Sequence, residues 1–228
     1  MTEANLVTRF EKQKIVLVTG HYGSGKTEFA VNLALQMAAS GRKTALADLD
    51  IVNPYFRSRE RRGILEAHGI RLIATSQSCT DADVPSLPAD ILVSFQDPAL
   101  FTVYDVGGDP AGARVLARWR PQLMSVPHEV VCVLNANRPE TATMESAIQY
   151  IRNIEATCGL TIAGLVNNTH LCGETTEVDI AKGKRLADAV SAETGIPVVC
   201  HVAVKSLAPQ LAEENVYPID IYMKKPWE

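Results

Sequence analysis

Short runs of apolar, mostly β-branched residues punctuate the chain at 15–19, 44–49, 70–74, 101–106, 130–135, 162–167 and 198–204. They are apolar almost throughout rather than alternating, which is the pattern of strands covered on both faces. Between them lie stretches with helical spacing, over 26–39, 54–67, 112–124, 140–157, 177–193 and 206–214. In the first of these, Phe29, Leu33, Ala34 and Met37 fall on one stripe, as a helix packed against a sheet requires. The alternation predicts an α/β fold in three layers, α/β/α, with a mostly parallel sheet and helices on both faces. The longest stretch without periodicity, 76–88, reads as a loop, open to a functional or a plain surface role. At 228 residues the chain suits one such domain, spanning 1–228, better than two small ones.

The first apolar run leads into Gly20-His21-Tyr22-Gly23-Ser24-Gly25-Lys26-Thr27, followed by Glu28 and a helical pattern. This is G-x-x-x-x-G-K-T, the phosphate-loop (Walker A) spacing between a strand and a helix. Glycines let the loop wrap a phosphate and turn main-chain N–H groups inward, and the helix adds the positive end of its dipole. Lys26 is the cation for the β- and γ-phosphates, and the Thr27 hydroxyl is a hard oxygen ligand for Mg²⁺. The whole stretch from Gly20 to Glu28 is the expected nucleotide cradle. The pattern defines a P-loop NTPase fold.

Such a cradle needs carboxylates at the ends of neighbouring strands, to hold the metal and place a water. Asp48 and Asp50 close the 44–49 run in Asp48-Leu49-Asp50, with side chains on the same side. Asp105 ends the 101–106 run, and Gly107 and Gly108 after it let the next loop move against a γ-phosphate. Asp105 is the first choice for the magnesium shell, with Thr27 and Asp50 beside it. Lys26 and Asp50 are the candidate catalytic pair, and Asp48, Gly107 and Gly108 are candidate switch residues. Asp109 precedes Pro110 and suits the cap of the next helix.

Taken together, these motifs resemble the MinD/ParA/CobQ-type P-loop NTPases of the SIMIBI class, the group that includes the nitrogenase iron protein. The resemblance runs from the phosphate loop through Asp48-Leu49-Asp50 and Tyr104-Asp105-Val106-Gly107-Gly108-Asp109 to Gly164-Leu165-Val166-Asn167-Asn168 and Gly195-Ile196-Pro197-Val198. It implies that Asp50 orients the attacking water, that Asp105 is the Walker B aspartate and that Gly108 is the switch II glycine. It also implies that Asn167 reads adenine, with Asn168 as the alternative. ATP as the nucleotide rests on this resemblance, together with the lack of an Asn-Lys-x-Asp guanine-reading element in the sequence. Many members carry a second lysine directly after the first glycine of the loop, reaching across a dimer. Here that place holds His21, with Tyr22 next to it, so His21 either touches phosphate or packs on the loop, and a homodimer is left open.

A net charge of −4 argues against a nucleic-acid partner, although Arg57, Arg59, Arg61 and Arg62, and again Arg114, Arg118 and Arg120, cluster beside the nucleotide-sensing loops where a protein partner would feel the γ-phosphate. Hydrophobic residues at 46% and charged residues at 21% are ordinary for a globular protein. No apolar window reaches membrane-spanning length, residues 1–14 are no secretory signal, and 219–228, with Lys224 and Lys225, is too short for a membrane-targeting helix, so a cytoplasmic protein is expected. The cysteines, Cys79, Cys132, Cys158, Cys172 and Cys200, form no C-x-x-C pair, and His128, His170 and His201 have no zinc spacing. The expected activity is a Mg-dependent ATPase acting as a switch on a protein partner. The alternatives are an ATP-dependent small-molecule synthetase or amidase, akin to the cobyrinate and dethiobiotin enzymes, and a DNA-segregation protein.

Overall fold

The sequence folds as its apolar runs require, with each run pairing beside another in one sheet. The computed structural model describes residues 2–3, 5–50, 61–74, 89–211 and 214–223. In chain order these form β1 (Thr2–Glu3), α1 (Leu6–Arg9), β2 (Ile15–Gly20), α2 (Lys26–Ala39), β3 (Thr44–Leu49), α3 (Arg62–Ala67) and β4 (Arg71–Ile73). Then come α4 (Val93–Gln96), β5 (Phe101–Val106), α5 (Pro110–Leu123), β6 (His128–Leu134), α6 (Met144–Cys158), β7 (Gly164–Asn167), α7 (Glu177–Thr194), β8 (Val198–Val204) and β9 (Glu214–Ile219).

Among the described residues the sheet has nine strands in the order β1-β9-β8-β7-β6-β2-β5-β3-β4, and the neighbours run parallel. Every residue of β2, β3 and β5 is buried, which accounts for their unbroken apolar character. Alternate residues feed opposite faces. Val16 and Val18 join Phe29, Leu33 and Met37 of α2 in one core, whereas Ile15 and Leu17 join Leu116 of α5, Ile151 of α6 and Val190 of α7 in the other. These are the three expected layers. β2 lies at the centre, between β5 and β6, so its carboxyl end opens where open parallel sheets place their ligands.

Some boundaries differ from expectation for local reasons. α5 begins at Pro110 because Asp109 caps it, its carboxylate accepting the Gly112 N–H at 2.8 Å. α6 begins at Met144, where Thr143 and Ser146 form a reciprocal capping box, and 139–141 make a single 3₁₀ turn instead. The helix expected over 206–214 is replaced by a 3₁₀ turn at Ala208–Gln210 and then β9. Pro209 permits a first turn but is poor in a helix interior, and Val216, Tyr217 and Ile219 bury against the sheet. Residues 51–60 and 76–88, and with them Arg57, Arg59, Cys79 and the first half of the expected 54–67 helix, lie outside the described residues, as do Lys224 and Lys225.

Candidate nucleotide site

Between β2 and α2 the chain makes a tight loop in which Gly23 and Gly25 take φ of 75° and 79°. That left-handed backbone suits glycine, and a Cβ on Gly25 would lie 2.2 Å from Asn168 Nδ2. The loop is pinned by side chains that follow β6 and β7. Arg138 Nε and Asn135 Nδ2 donate to the Gly23 carbonyl at 3.0 and 3.2 Å, and Asn168 Nδ2 donates to the Ser24 carbonyl at 2.9 Å. Because the peptide is planar and trans, holding the Ser24 carbonyl also fixes the Gly25 N–H in the opposite direction. α2 starts at Lys26 and places its amino end against the same space.

Three aspartates converge there from two adjacent strands. Asp48 of β3 and Asp105 of β5 are register partners, and Asp50 follows one residue after β3. Lys26 Nζ meets Asp50 Oδ2 at 2.8 Å, with Lys26, Asp48, Asp50 and Asp105 all at most 5% exposed. Burial works against the charge on Lys26, but Asp105, Asp50 and Asp109 outweigh it and raise its pKa. Asp105 is pushed up to about 8, first by burial and then by Asp48 and Asp50, with Lys26 and the nearby Thr27 hydroxyl pulling the other way. Neither Asp105 oxygen has a hydrogen-bond partner of full geometry.

A buried carboxylate with both oxygens unsatisfied, beside a threonine hydroxyl and with carboxylates outnumbering the single ammonium, fits a divalent cation. Among the described residues no three His, Cys, Asp or Glu side chains form a ready-made metal cage. Mg²⁺ does not need one, since it is held through one or two protein oxygens, substrate phosphates and water. Thr27 and Asp105 are the residues that would hold it, with Asp50 adjacent.

The loop after β5 rests directly on the cradle. A Cβ on Gly108 would lie 1.9 Å from the Gly20 carbonyl oxygen, so only glycine allows this contact. On its other side the Tyr150 hydroxyl donates to the Gly108 carbonyl at 2.8 Å. His21 turns toward α6 as well, with its ring edge-on to Tyr150 at 5.8 Å and Nδ1 3.6 Å from Glu140 Oε2. His21 thus packs beside the loop against Tyr150.

From the cradle a cavity of about 720 Å³ extends to the ends of β7, β8 and β9. Tyr22, Lys26, Thr27, Asn168 and His170 line it. Asn167 is absent from its walls and corrects the expectation that this residue faces a base. It is fully buried, its Nδ2 reaching the Ile180 carbonyl and His201 at 3.2 Å each, while its Oδ1 accepts the Thr169 N–H at 3.1 Å. The space is made by Gly183 of α7, where any Cβ would come 2.1 Å from Asn167 Oδ1. Asn168, the alternative, faces the cavity. Glu28 also lines it, but its carboxylate accepts the main-chain N–H groups of Tyr222 at 2.7 Å and Met223 at 3.0 Å. Burial raises the Glu28 pKa, partly offset by those two donors.

Arg138, Asn135, His170 and Tyr150 were not singled out for the site by their sequence pattern. The first two sit just past the carboxyl end of β6, beside β2, and a strand-end position next to the phosphate loop is the one signal that points to them. His170 is pushed down to about 4, by burial first and by Arg138 second, and is therefore neutral near pH 7. Arg120 of α5 donates to the Gly159 carbonyl at the end of α6 at 2.8 Å, and Arg62 pairs with Glu66 within α3 at 3.1 Å, so both arginines have structural partners. Cys132, Cys158 and Cys200 are buried free thiols, and Cys172 is exposed. No helix among the described residues is long and apolar enough to cross a membrane.

A parallel sheet whose central strand leads through this loop into a helix, with a lysine and strand-end aspartates around it, defines a P-loop nucleotide-binding protein. The model of the CobQ/CobB/MinD/ParA nucleotide binding domain matches residues 15–200, and the chain belongs to that family. Solved structures of other SIMIBI-class proteins share the fold. FtsY from Mycoplasma mycoides superposes with a TM-score of 0.55 at 18% identity, over 81% of this chain and 57% of that one. The cell division protein FtsY from Thermotoga maritima gives 0.55 at 20%, over 81% and 59%. The signal recognition particle 54 kDa protein from Aeropyrum pernix K1, solved with GDP, gives 0.52 at 19%, over 82% and 41%. The chain thus spans less than two-thirds of each of these structures. No curated protein matches it.

Proposed function

We propose that this chain is a single-domain, magnesium-dependent ATPase of the cytoplasm whose nucleotide state switches its hold on a protein partner. The observation that carries the reading is Lys26 held 2.8 Å from Asp50, beside the unsatisfied Asp105, at the phosphate end of the cavity. Gly20 to Thr27 would cradle the phosphates. A γ-phosphate competes with Asp50 for the Lys26 ammonium, and Asp50, once released, holds the attacking water in line. Lys26 stabilises charge developing on the transferred phosphoryl group. Mg²⁺, held through Thr27 and Asp105, would neutralise further phosphate charge when bound.

The choice of ATP over GTP is supported by the cavity walls. Among the described lining residues Glu28 is the sole carboxylate, and main-chain N–H groups occupy both its oxygens. Guanine presents a ring N–H and an amine that call for paired acceptors, whereas adenine's amine needs one. Asn168 commits its Nδ2 to Ser24, which leaves its oxygen for that amine. The Gly107–Gly108 loop, bridging the cradle and α6 through Tyr150, would report the γ-phosphate to the partner. With His21 packed against Tyr150, the switch need not rely on a lysine-bridged pair of chains.

Calorimetric titration with Mg²⁺ and either ATP or GTP, followed by phosphate release without any added acceptor, tests the reading. ATP should bind at least about tenfold more tightly than GTP and be hydrolysed slowly alone, since a wall built to pair a base rejects one that leaves polar groups unmatched. Absence of heat from both triphosphates would remove the function altogether. Equal affinities would remove the ATP assignment and leave a general NTPase.

A further inference from the structure

The far end of the cavity is closed by chain nearly two hundred residues from the phosphate loop. After β9, residues 220–223 cross the first turns of α2 and are fastened there by two side chains. Asn32 donates Nδ2 to the Asp220 carbonyl at 2.9 Å and accepts the Asp220 N–H at 3.0 Å. Glu28, one turn earlier, accepts the N–H groups of Tyr222 and Met223. A pair between Lys205 and Asp220 at 2.5 Å secures the outer side. Ile221 and Met223 line the cavity, and Ile221 is 62% exposed. Tyr22, 56% exposed, lines the same space.

We propose that residues 220–223 are a strap that supplies the apolar wall for the purine ring, with Ile221 and Met223 against the base and Glu28 and Asn32 coupling the strap to the phosphate-loop helix. The inference rests on the nucleotide reading above and assigns residues to its base end. The occupant follows from continuity, because the cavity holding Ile221 and Met223 also contains Lys26 and Thr27. A ligand whose phosphates fill the cradle carries its ring into this end, and a flat, largely apolar ring covers the aliphatic surface that Ile221 leaves bare. Glu28 and Asn32 hold the strap in place against α2 through its main-chain groups. The strap therefore sets affinity for nucleosides and has no part in holding bare phosphate.

That distinction gives the test. Ile221→Ser and Asn32→Ala are titrated, in the presence of Mg²⁺, with ATP and with inorganic tripolyphosphate. Ile221 is exposed, so a polar replacement there does not threaten folding. ATP affinity should fall roughly tenfold in Ile221→Ser, the scale set by removing apolar contact from a pocket, while tripolyphosphate affinity stays within about twofold. Asn32→Ala should follow the same pattern. Equal weakening of both ligands, or unchanged ATP binding, overturns the strap. If the unaltered protein binds neither ligand, the nucleotide reading itself fails and the strap falls with it; if it binds both and the variants do not discriminate, the strap alone fails.

Discussion

At the phosphate end of the cavity, Gly20 to Thr27 are consecutive, three aspartates close neighbouring strands, and the charges are almost entirely buried. At the other end, Asn168 and the strap residues Ile221 and Met223 come from two distant stretches, and the walls include apolar side chains left exposed. The first end tolerates little change, because buried charges are stabilised only by one another and by their ligands. The second tolerates more, because apolar contact is non-directional and a substituted wall still excludes water. Changes at the phosphate end should therefore alter chemistry by orders of magnitude, and changes at the base end should alter affinity by smaller factors.

Lys26→Ala and Asp50→Asn probe the phosphate end and carry the largest expected effects. Lys26→Ala deletes the ammonium between two buried carboxylates and should lower kcat/KM for ATP by roughly a thousandfold, as loss of a fixed charge on a transferring phosphoryl group does. Asp50→Asn should keep ATP affinity within about threefold while slowing single-turnover hydrolysis roughly a hundredfold, because water placement contributes only in the transition state. Equal single-turnover rates in Asp50→Asn would show that another group places the water. Wild-type kinetics in Lys26→Ala would erase the contrast between the two ends.

The two ends also differ in how far the sequence revealed them. Phosphate-loop geometry follows from backbone requirements at fixed spacing, so glycines and a lysine between a strand and a helix were enough to locate it. Asp50 and Asp105 were visible because buried strands end abruptly in a carboxylate. β3 and β5 match the apolar runs residue for residue for the same reason. The base end had no such rule. Asn167 and Asn168 are adjacent, and neighbouring residues at a strand end face opposite ways, so the choice between them depended on Gly183 in a helix still to come. The strap depended on β9, whose short run with Pro218 and a preceding proline turn gave no clear period. Glu28 looked like part of the cradle because it follows Thr27, but the strap draws its carboxylate away.

His170 sharpens the boundary between the two ends, since it lines the cavity and sits against the loop at Gly25. Its pKa, about 4 in the folded chain against an ordinary 6.5, means the folded state stays unprotonated where the unfolded chain takes up a proton. The stability this contributes is present above pH 6.5 and is lost as pH falls toward 4. Melting temperature measured between pH 7 and 5 should therefore drop more for the wild type than for His170→Gln, whose side chain does not titrate. Parallel curves for the two proteins would mean that His170 keeps an ordinary pKa and that the cavity is wetter there than its burial indicates.

The smallest effect is expected from Tyr150→Phe, which touches neither phosphate nor base. Burial pushes this phenol well above its ordinary pKa, so its hydroxyl remains a donor to the Gly108 carbonyl across the accessible pH range. The substitution keeps the ring against His21 and deletes only the tether on the loop that follows Asp105. Losing one such bond should cost about 1 kcal/mol of stability. If that loop must hold its place on Gly20 for hydrolysis, the single-turnover rate should fall about threefold with ATP affinity unchanged, because a looser loop spends less time in the reactive arrangement. Stopped-flow kinetics beside calorimetric titration separates the two quantities. A loss confined to affinity would mean that the hydroxyl supports the cradle instead of the sensing loop, and would move Tyr150 from the moving part of the phosphate end to its fixed frame.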